Sequence, residues 1–252
     1  MILAAHDISV SFGGFTAVDR AGISVPAGEM VGLVGPNGAG KSSLFGALTG
    51  YLAPQGGTVL LDGADISRLP PHLRVRRGLG RTFQVPREFT HLSVRDNLSA
   101  AVPAQSGETL RGLFVGFVAV RREQQEVRRK VDEILDVIGL AHVQDLHAGG
   151  LSGGQRKLLE LGRVLLTEPR IVLLDEPFGG VNPVMIEKLS EVIRALNGRG
   201  IAFLIVEHNL AALSRLVNHL YVMDRGKVIA DGSPGHVLSL PAVQDAYLGT
   251  VV

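Results

Sequence analysis

The residues with the clearest chemistry lie in Gly35-Pro36-Asn37-Gly38-Ala39-Gly40-Lys41-Ser42. This run is a full match to G-x-x-x-x-G-K-[ST]. The apolar run Val31-Gly32-Leu33-Val34 precedes it and reads as a buried parallel strand. A helical pattern follows from Lys41 to about Thr49, with Gly50 as its stop. In that setting the glycines let successive backbone N–H groups face a phosphate, and the helix N-terminus adds the positive end of its dipole. Lys41 is expected to reach the β- and γ-phosphates of a nucleoside triphosphate, and the Ser42 hydroxyl to ligate Mg²⁺. Ser43 joins them in the nucleotide-binding set. The bland alternative is a Gly-rich turn entering a helix.

Other chemistry-bearing residues stand at strand ends. Ile171-Val172-Leu173-Leu174 reads as a buried strand ended by Asp175-Glu176-Pro177. Open α/β sheets place ligands at the carboxyl ends of their strands. Asp175 there suits Mg²⁺ held through water. Glu176 suits accepting a proton from the attacking water, or orienting it. Ile201 to Val206 is a further apolar strand, ending at Glu207-His208; His208 there can reach a γ-phosphate, against the plainer reading of a polar strand end. Gly78 to Gln84 is expected to run extended, with Gln84 at its end; taken alone it reads as a surface glutamine, and the rival reading is an oxygen ligand for Mg²⁺ that senses the γ-phosphate. Phe12 and Phe15 are rival candidates to stack on a base, against the reading of core phenylalanines. Leu151-Ser152-Gly153-Gly154-Gln155 opens a helix that runs to about Leu166. Ser-x-x-Gln is a capping box. The two glycines inside it lower helix stability, by roughly 1 kcal/mol each in a helix interior. They make sense where something approaches the backbone closely. Bare N–H groups at this helix start would form a second phosphate site.

These residues need an α/β scaffold. The 252 residues suggest one large domain or a core with an insertion. Strands are expected over 2–10, 16–25 and 56–61, and a hairpin over 222–229. Pro70-Pro71 opens a short basic helix through Arg77. Asn182-Pro183 caps a helix to about Asn197, and a short helical tail covers 234–248. From Arg87 to Gly150 the character changes. Ser93 starts a short helix, and Arg121 to Ile138 is strongly amphipathic, with Gly139 as C-cap. The core is therefore expected over 1–86 and 156–252, with an inserted helical subdomain at about 87–155. The charge runs at 121–123 and 128–130 read as a solvated face.

Composition bounds the rest. Hydrophobic residues make up 46% of the chain, and the net charge is +1, so no bulk field points to nucleic acid. Absence of cysteine excludes disulfides, Cys-ligated zinc and iron–sulfur clusters. Met1 to Ala5 is cut short by His6-Asp7, so no signal peptide is expected. The apolar run Gly112 to Val120 is far short of the about 20 residues that span a bilayer. A mean hydropathy of +0.26 hints at a surface that partners cover.

GPNGAGKS at 35–42, Gln84, LSGGQ at 151–155, IVLLDEP at 171–177 and His208 together resemble the ATP-binding-cassette ATPases over nearly the whole chain. The resemblance implies a P-loop core with a mostly parallel sheet, an N-terminal antiparallel β subdomain and an inserted helical subdomain. It implies that Phe12 stacks on adenine, that Glu176, His208 and Lys41 are catalytic, and that Ser42, Gln84 and Asp175 hold Mg²⁺. It also implies head-to-tail dimers, homo- or heteromeric with a related subunit, in which Leu151 to Gln155 complete the partner's ATP site. SFGGFTAVD at 11–19, GRTFQ at 80–84, the insertion around Gly112-Leu113-Phe114, EPFGGVNP at 176–183, EHNL at 207–210 and AYLG at 246–249 look like the larger ATP-binding subunit of branched-chain amino acid uptake transporters. Urea-uptake and lipopolysaccharide-export cassettes are similar. Asn182 stands where the wider superfamily has aspartate. The implied partners are integral membrane permease subunits at the cytoplasmic face of the inner membrane and, indirectly, an extracytoplasmic substrate-binding protein, with no nucleic acid. Two rival classes are a soluble nucleotide-gated clamp and an ATP-binding switch without turnover. One cassette without cysteine or sustained heptads speaks against the first. Glu176 and His208 speak against the second.

Overall fold

The computed structural model describes residues 1–84, 87–105 and 117–248. Val85, Pro86, Gly112-Leu113-Phe114 and the closing Gly249 lie outside the described residues. The chain forms two compact units. One comprises Met1–Gln84, Pro169–Gly179 and Ile193–Val252; the other comprises Val85–Glu168 and Gly180–Val192.

The first unit carries two sheets. Strands β1 (Leu3–Phe12), β2 (Phe15–Val25), β4 (Gly56–Leu61) and β5 (Ala64–Asp65) form an antiparallel sheet in the order β2-β1-β4-β5. Its alternating residues bury one face, including Ile8, Val10, Val18, Ile23, Val59 and Leu61. Phe12 and Phe15 pair across the tip of the β1–β2 hairpin.

The second sheet has the order β10-β9-β3-β8-β7-β6. Its members are β3 (Met30–Val34), β6 (Leu79–Arg81), β7 (Ile171–Asp175), β8 (Ala202–Val206), β9 (His219–Asp224) and β10 (Lys227–Gly232). All neighbours are parallel except the β9–β10 hairpin. Every residue of β3, β7 and β8 is buried, as their continuous apolar runs require of strands covered on both faces. The carboxyl ends of β3, β7 and β8 present Gly35, Glu176 and Glu207-His208. The segment expected to be extended to Gln84 pairs as a strand only at 79–81. Thr82 adds one further bond, its N–H donating to the Leu173 carbonyl at 3.0 Å.

Helix α1 (Lys41–Thr49) ends at Gly50, whose φ of 81° is the left-handed C-cap conformation. Helix α2 (Pro71–Arg76) supplies Arg74, which is 1% exposed. Its guanidinium donates to the Ala47 and Leu48 carbonyls at 2.7 and 2.6 Å and to those of Leu69 and Ser67. It thereby adds donors to carbonyls in the last turn of α1, where the Ala47 carbonyl also accepts the C-cap Gly50 N–H at 3.3 Å. Burial lowers its pKa to about 10.

In the second unit, α3 (Val94–Ser99) is capped by Ser93, whose hydroxyl accepts from Asp96 N. Helix α4 (Phe117–Val137) buries Val131 and Leu135, and Gly139 closes it at φ 66°. Helix α5 (Gly153–Leu165) packs through Gly162, where a Cβ would stand 2.7 Å from Ile138 and 3.0 Å from Leu98. That packing carries the helical unit beyond residue 155, where the sequence pattern drew its border. Exposed pairs such as Arg129–Glu133 at 2.7 Å line the solvated face of α4. Helix α6 (Pro183–Asn197) starts here, with the Asn182 Oδ1 accepting from Met185 N at 2.9 Å. The chain closes with α7 (Leu210–Ser214), α8 (Pro234–Leu238) and α9 (Pro241–Leu248). No helix among the described residues is long and apolar enough to cross a membrane.

Candidate nucleotide site

The loop between β3 and α1 is built against backbone. A Cβ at Gly35 (φ 151°) would stand 2.1 Å from the Met223 carbonyl oxygen, and one at Gly40 (φ 100°) 2.3 Å from that of Ala17. Only glycine allows this approach and these dihedrals. The β9–β10 turn holds the loop from behind, Gly226 N donating to the Ala39 carbonyl at 2.9 Å. Lys41 is 6% exposed, and its Nζ donates to the Gly35 and Pro36 carbonyls at 2.8 and 2.9 Å. Burial lowers its pKa, and the charge of Glu176 opposes that shift.

A cavity of about 310 Å³ opens in front of the loop. It is lined by Phe12, Phe15 and Ala17, by Asn37 through Ser43, and by Glu176 and His208. Phe12 and Phe15 are 51% and 65% exposed, so neither ring is a core residue.

Glu176 has φ 49°, a left-handed conformation sparsely populated by residues other than glycine. Its Oε2 accepts from the Gln84 amide at 3.0 Å, and its Oε1 lies 2.9 Å from His208 Nε2. Three residues selected separately from the ends of β6, β7 and β8 thus meet at one carboxylate. Asp175, 8% exposed, accepts from the Arg81 guanidinium at 3.3 Å. The Arg81 guanidinium lies 4.7–5.2 Å from the ring centres of Phe45, Tyr51 and Phe83. It also donates to the Thr49 hydroxyl at 3.1 Å, which joins the end of α1 to Asp175.

The second unit holds Leu151 through Gln155. Ser152 Oγ accepts from Gln155 N at 3.3 Å, and Gln155 Oε1 accepts from Ser152 N at 2.9 Å, so both capping-box bonds form. The two glycines differ. A Cβ at Gly154 would stand 2.8–3.0 Å from Met185, whereas one at Gly153 would meet only the Gly180 carbonyl at 3.7 Å. Packing therefore accounts for Gly154 and leaves Gly153 open. The segment 87–92 is held by Asn97 of α3, which is fully buried, accepts from Phe89 N at 2.8 Å and donates to the Phe89 carbonyl at 3.0 Å, while the Phe89 side chain stays 51% exposed.

Three residues escaped selection from the sequence: Arg74, Arg81 and Glu207. Each is charged and reaches into buried surroundings, and nothing in single-sequence spacing separates such a residue from a solvated one. Glu207, 3% exposed, accepts from the backbone N–H groups of Phe178, His208 and Asn209.

Residues 18–179 match the family model described as "ABC transporter". The chain is 37% identical over 98% of its length, and 95% of the relative's, to a probable branched-chain amino acid transport ATP-binding protein of Archaeoglobus fulgidus. Over 98% of both chains it is 36% identical to the high-affinity branched-chain amino acid transport ATP-binding protein LivG of Salmonella typhimurium. Identity to the lipopolysaccharide export system ATP-binding protein LptB of Haemophilus influenzae is 34%, over 98% of this chain and 97% of that one. A nucleotide-free ATP-binding cassette from an ABC transporter superposes with a TM-score of 0.85 at 37% identity over 98% of both chains. A cassette in its ADP conformation gives 0.83 at 36%, again over 98% of both chains.

Proposed function

The chain belongs to the ABC transporter family, and we propose that it binds and hydrolyses ATP to power uptake of branched-chain or related amino acids through separate membrane subunits. The observation that carries the hydrolytic part is the Glu176 carboxylate on the wall of the phosphate-loop cavity, held between Gln84 and His208. The importer reading is supported by two branched-chain relatives at 36–37% identity along 98% of this chain.

The loop N–H groups of residues 35–42 and the α1 N-terminus bind the phosphates. Lys41 has two of its three donors on loop carbonyls and turns its ammonium to the β- and γ-phosphates. Phe12 stacks on adenine. Glu176 orients the attacking water and takes its proton, and the bonds from Gln84 and His208 fix where that oxygen points. Ser42, Gln84 and Asp175 offer only oxygen donors, the set that suits Mg²⁺. Among the described residues no group of three or more His, Cys, Asp or Glu is placed to hold a metal ion. Bound there, Mg²⁺ would neutralise phosphate charge. Two cassettes act head to tail, homo- or heteromeric, and Leu151 to Gln155 of each complete the partner's site. The exposed Phe89 segment receives a cytoplasmic loop of an integral permease subunit, which places the chain at the inner face of the cell membrane. An extracytoplasmic binding protein delivers the cargo.

Glu176→Gln tests the assignment. ATP affinity is retained and turnover falls by about 10²–10⁴-fold, the usual general-base contribution, while an ATP-bound dimer accumulates. Near-normal phosphate release refutes it. Reconstitution with the membrane subunits and labelled leucine tests the cargo; ATP-dependent release of lipopolysaccharide without leucine uptake would favour export instead.

A further inference from the structure

Glu207 follows β8, and its buried carboxylate accepts three backbone N–H groups. Oε1 takes Phe178 N at 2.6 Å, and Oε2 takes His208 N at 2.9 Å and Asn209 N at 3.2 Å. Phe178 belongs to the turn that begins at Glu176 and closes with Gly179 N donating to the Glu176 carbonyl at 3.2 Å. His208 and Asn209 open the turn after β8, where the Asn209 side chain caps α7 by accepting from Ala212 N at 3.1 Å. One buried charge therefore bridges the two turns that carry the paired side chains of Glu176 and His208. We infer that Glu207 is a positioning residue for hydrolysis, its carboxylate bracketing the turns after β7 and β8 so that Glu176 and His208 meet. The inference rests on the reading of Glu176 as the residue that activates water.

Burying a carboxylate is unfavourable unless its oxygens are satisfied. Three N–H donors do so here, with charge-assisted bonds about twice as strong as neutral ones. A non-glycine residue in the left-handed region persists only where its surroundings over-determine it. The Glu176 turn is fixed by Glu176 N to the Val206 carbonyl at 2.9 Å, by its own closing bond and by Phe178 N to Glu207. The last of these also ties it to the backbone of His208. Glutamine at 207 cannot reproduce this, because one of its two polar atoms is an NH₂ that cannot accept. Either orientation sets that group against backbone donors, and one turn is released from the other.

The test uses the full chain with Glu207→Gln, Glu207→Asp, His208→Ala and the double variant Glu207→Gln/His208→Ala. Turnover, affinity for a non-hydrolysed ATP analogue and unfolding temperature are measured for each. Misplacement of a catalytic group on this scale costs about 10- to 100-fold. Glu207→Gln is expected to lose that much in kcat while analogue affinity stays within about twofold. In the His208→Ala background the same substitution is expected to cost a smaller factor, because residues acting as one unit are not additive. Glu207→Asp keeps the charge on a shorter arm and falls between wild type and Glu207→Gln; it carries the same measurements if Glu207→Gln does not fold. Unchanged kcat overturns the inference. So does an equal loss in both backgrounds, or a loss that merely tracks the folded fraction. A Glu176→Gln control with normal turnover overturns the reading of Glu176, and the role of Glu207 with it.

Discussion

Gly153 and Gly154 are neighbours in one helical turn, yet the structure predicts opposite results for alanine at the two positions. Neither has positive φ, so alanine fits the backbone at both. Removing glycine flexibility from the unfolded chain stabilises by about 0.4–1 kcal/mol at a compatible site. At Gly153 nothing opposes this gain, since the new Cβ lies 3.7 Å from the Gly180 carbonyl, an ordinary contact. At Gly154 the Cβ lies 2.8 Å from Met185 Cε and 3.0 Å from Met185 Cβ and Cγ. The Met185 tip can swing away, but its Cβ cannot leave the helix, and overpacking of this kind costs about 1–3 kcal/mol. Gly153→Ala is thus expected to raise stability by about 0.4–1 kcal/mol, and Gly154→Ala to lower it by up to about 2.5 kcal/mol. At about 2–4 °C per kcal/mol for a chain of this size, melting curves separate the two. Function should run the other way for Gly153. If a partner's γ-phosphate approaches its backbone, Gly153→Ala abolishes ATP-dependent dimerisation in the Glu176→Gln background, although the monomer is more stable. A Gly153→Ala variant that sediments as a full ATP dimer refutes the close-approach reasoning. A Gly154→Ala variant as stable as Gly153→Ala refutes the packing account.

Phe12→Ala is expected to weaken ATP by about 1–3 kcal/mol, the worth of one stacked base, without changing the melting curve because the ring is half exposed; equal loss of fold and affinity would return it to the core. The chain has no cysteine, so Arg87→Cys gives a single exposed probe that avoids Glu88, whose carboxylate lies 3.7 Å from Arg156 and is 8% exposed. Nucleotide-sensitive cross-links to a cytoplasmic permease loop are expected in a transport-competent complex, and their absence while probes elsewhere react rejects docking at this segment. Asp65 has its pKa lowered by the Ser67 hydroxyl, then by the Ser67 N–H. Its folded value lies below the ordinary 3.8, so its contribution is present above that pH and is lost as pH falls through the folded value. Asp65→Asn should therefore lower the urea midpoint at pH 7 and make little difference in strong acid; a difference independent of pH contradicts this.

Local sequence settled whatever depends on neighbours along the chain. Gly35 to Ser42 sit between a strand and a helix because an apolar run precedes them and helical spacing follows. Gly50 and Gly139 close helices in the left-handed conformation, and Ser152, Asn182 and Ser93 cap theirs, because a cap is made within three or four residues. β3, β7 and β8 were legible as continuous apolar runs because strands buried on both faces tolerate little else.

Only the tertiary structure decided what residues far apart in the chain do together. Gln84, Glu176 and His208 share one carboxylate because the sheet order brings the ends of β6, β7 and β8 side by side, and no spacing encodes that order. Phe12 read on its own residues as base-stacker or core residue alike, with Phe15 its rival; exposure at a hairpin tip lining the cavity removes the core reading for both. Gly153 and Gly154 look identical until Met185, some thirty residues on, packs against one of them. Arg74 lies in a short basic helix that reads as surface, yet its guanidinium takes carbonyls from the end of α1. Glu207 reads as the polar end of a strand, and only folding surrounds it with three N–H donors from two turns. A charged side chain shows its purpose through partners supplied by the fold, whereas an apolar period or a glycine shows it through the chain itself.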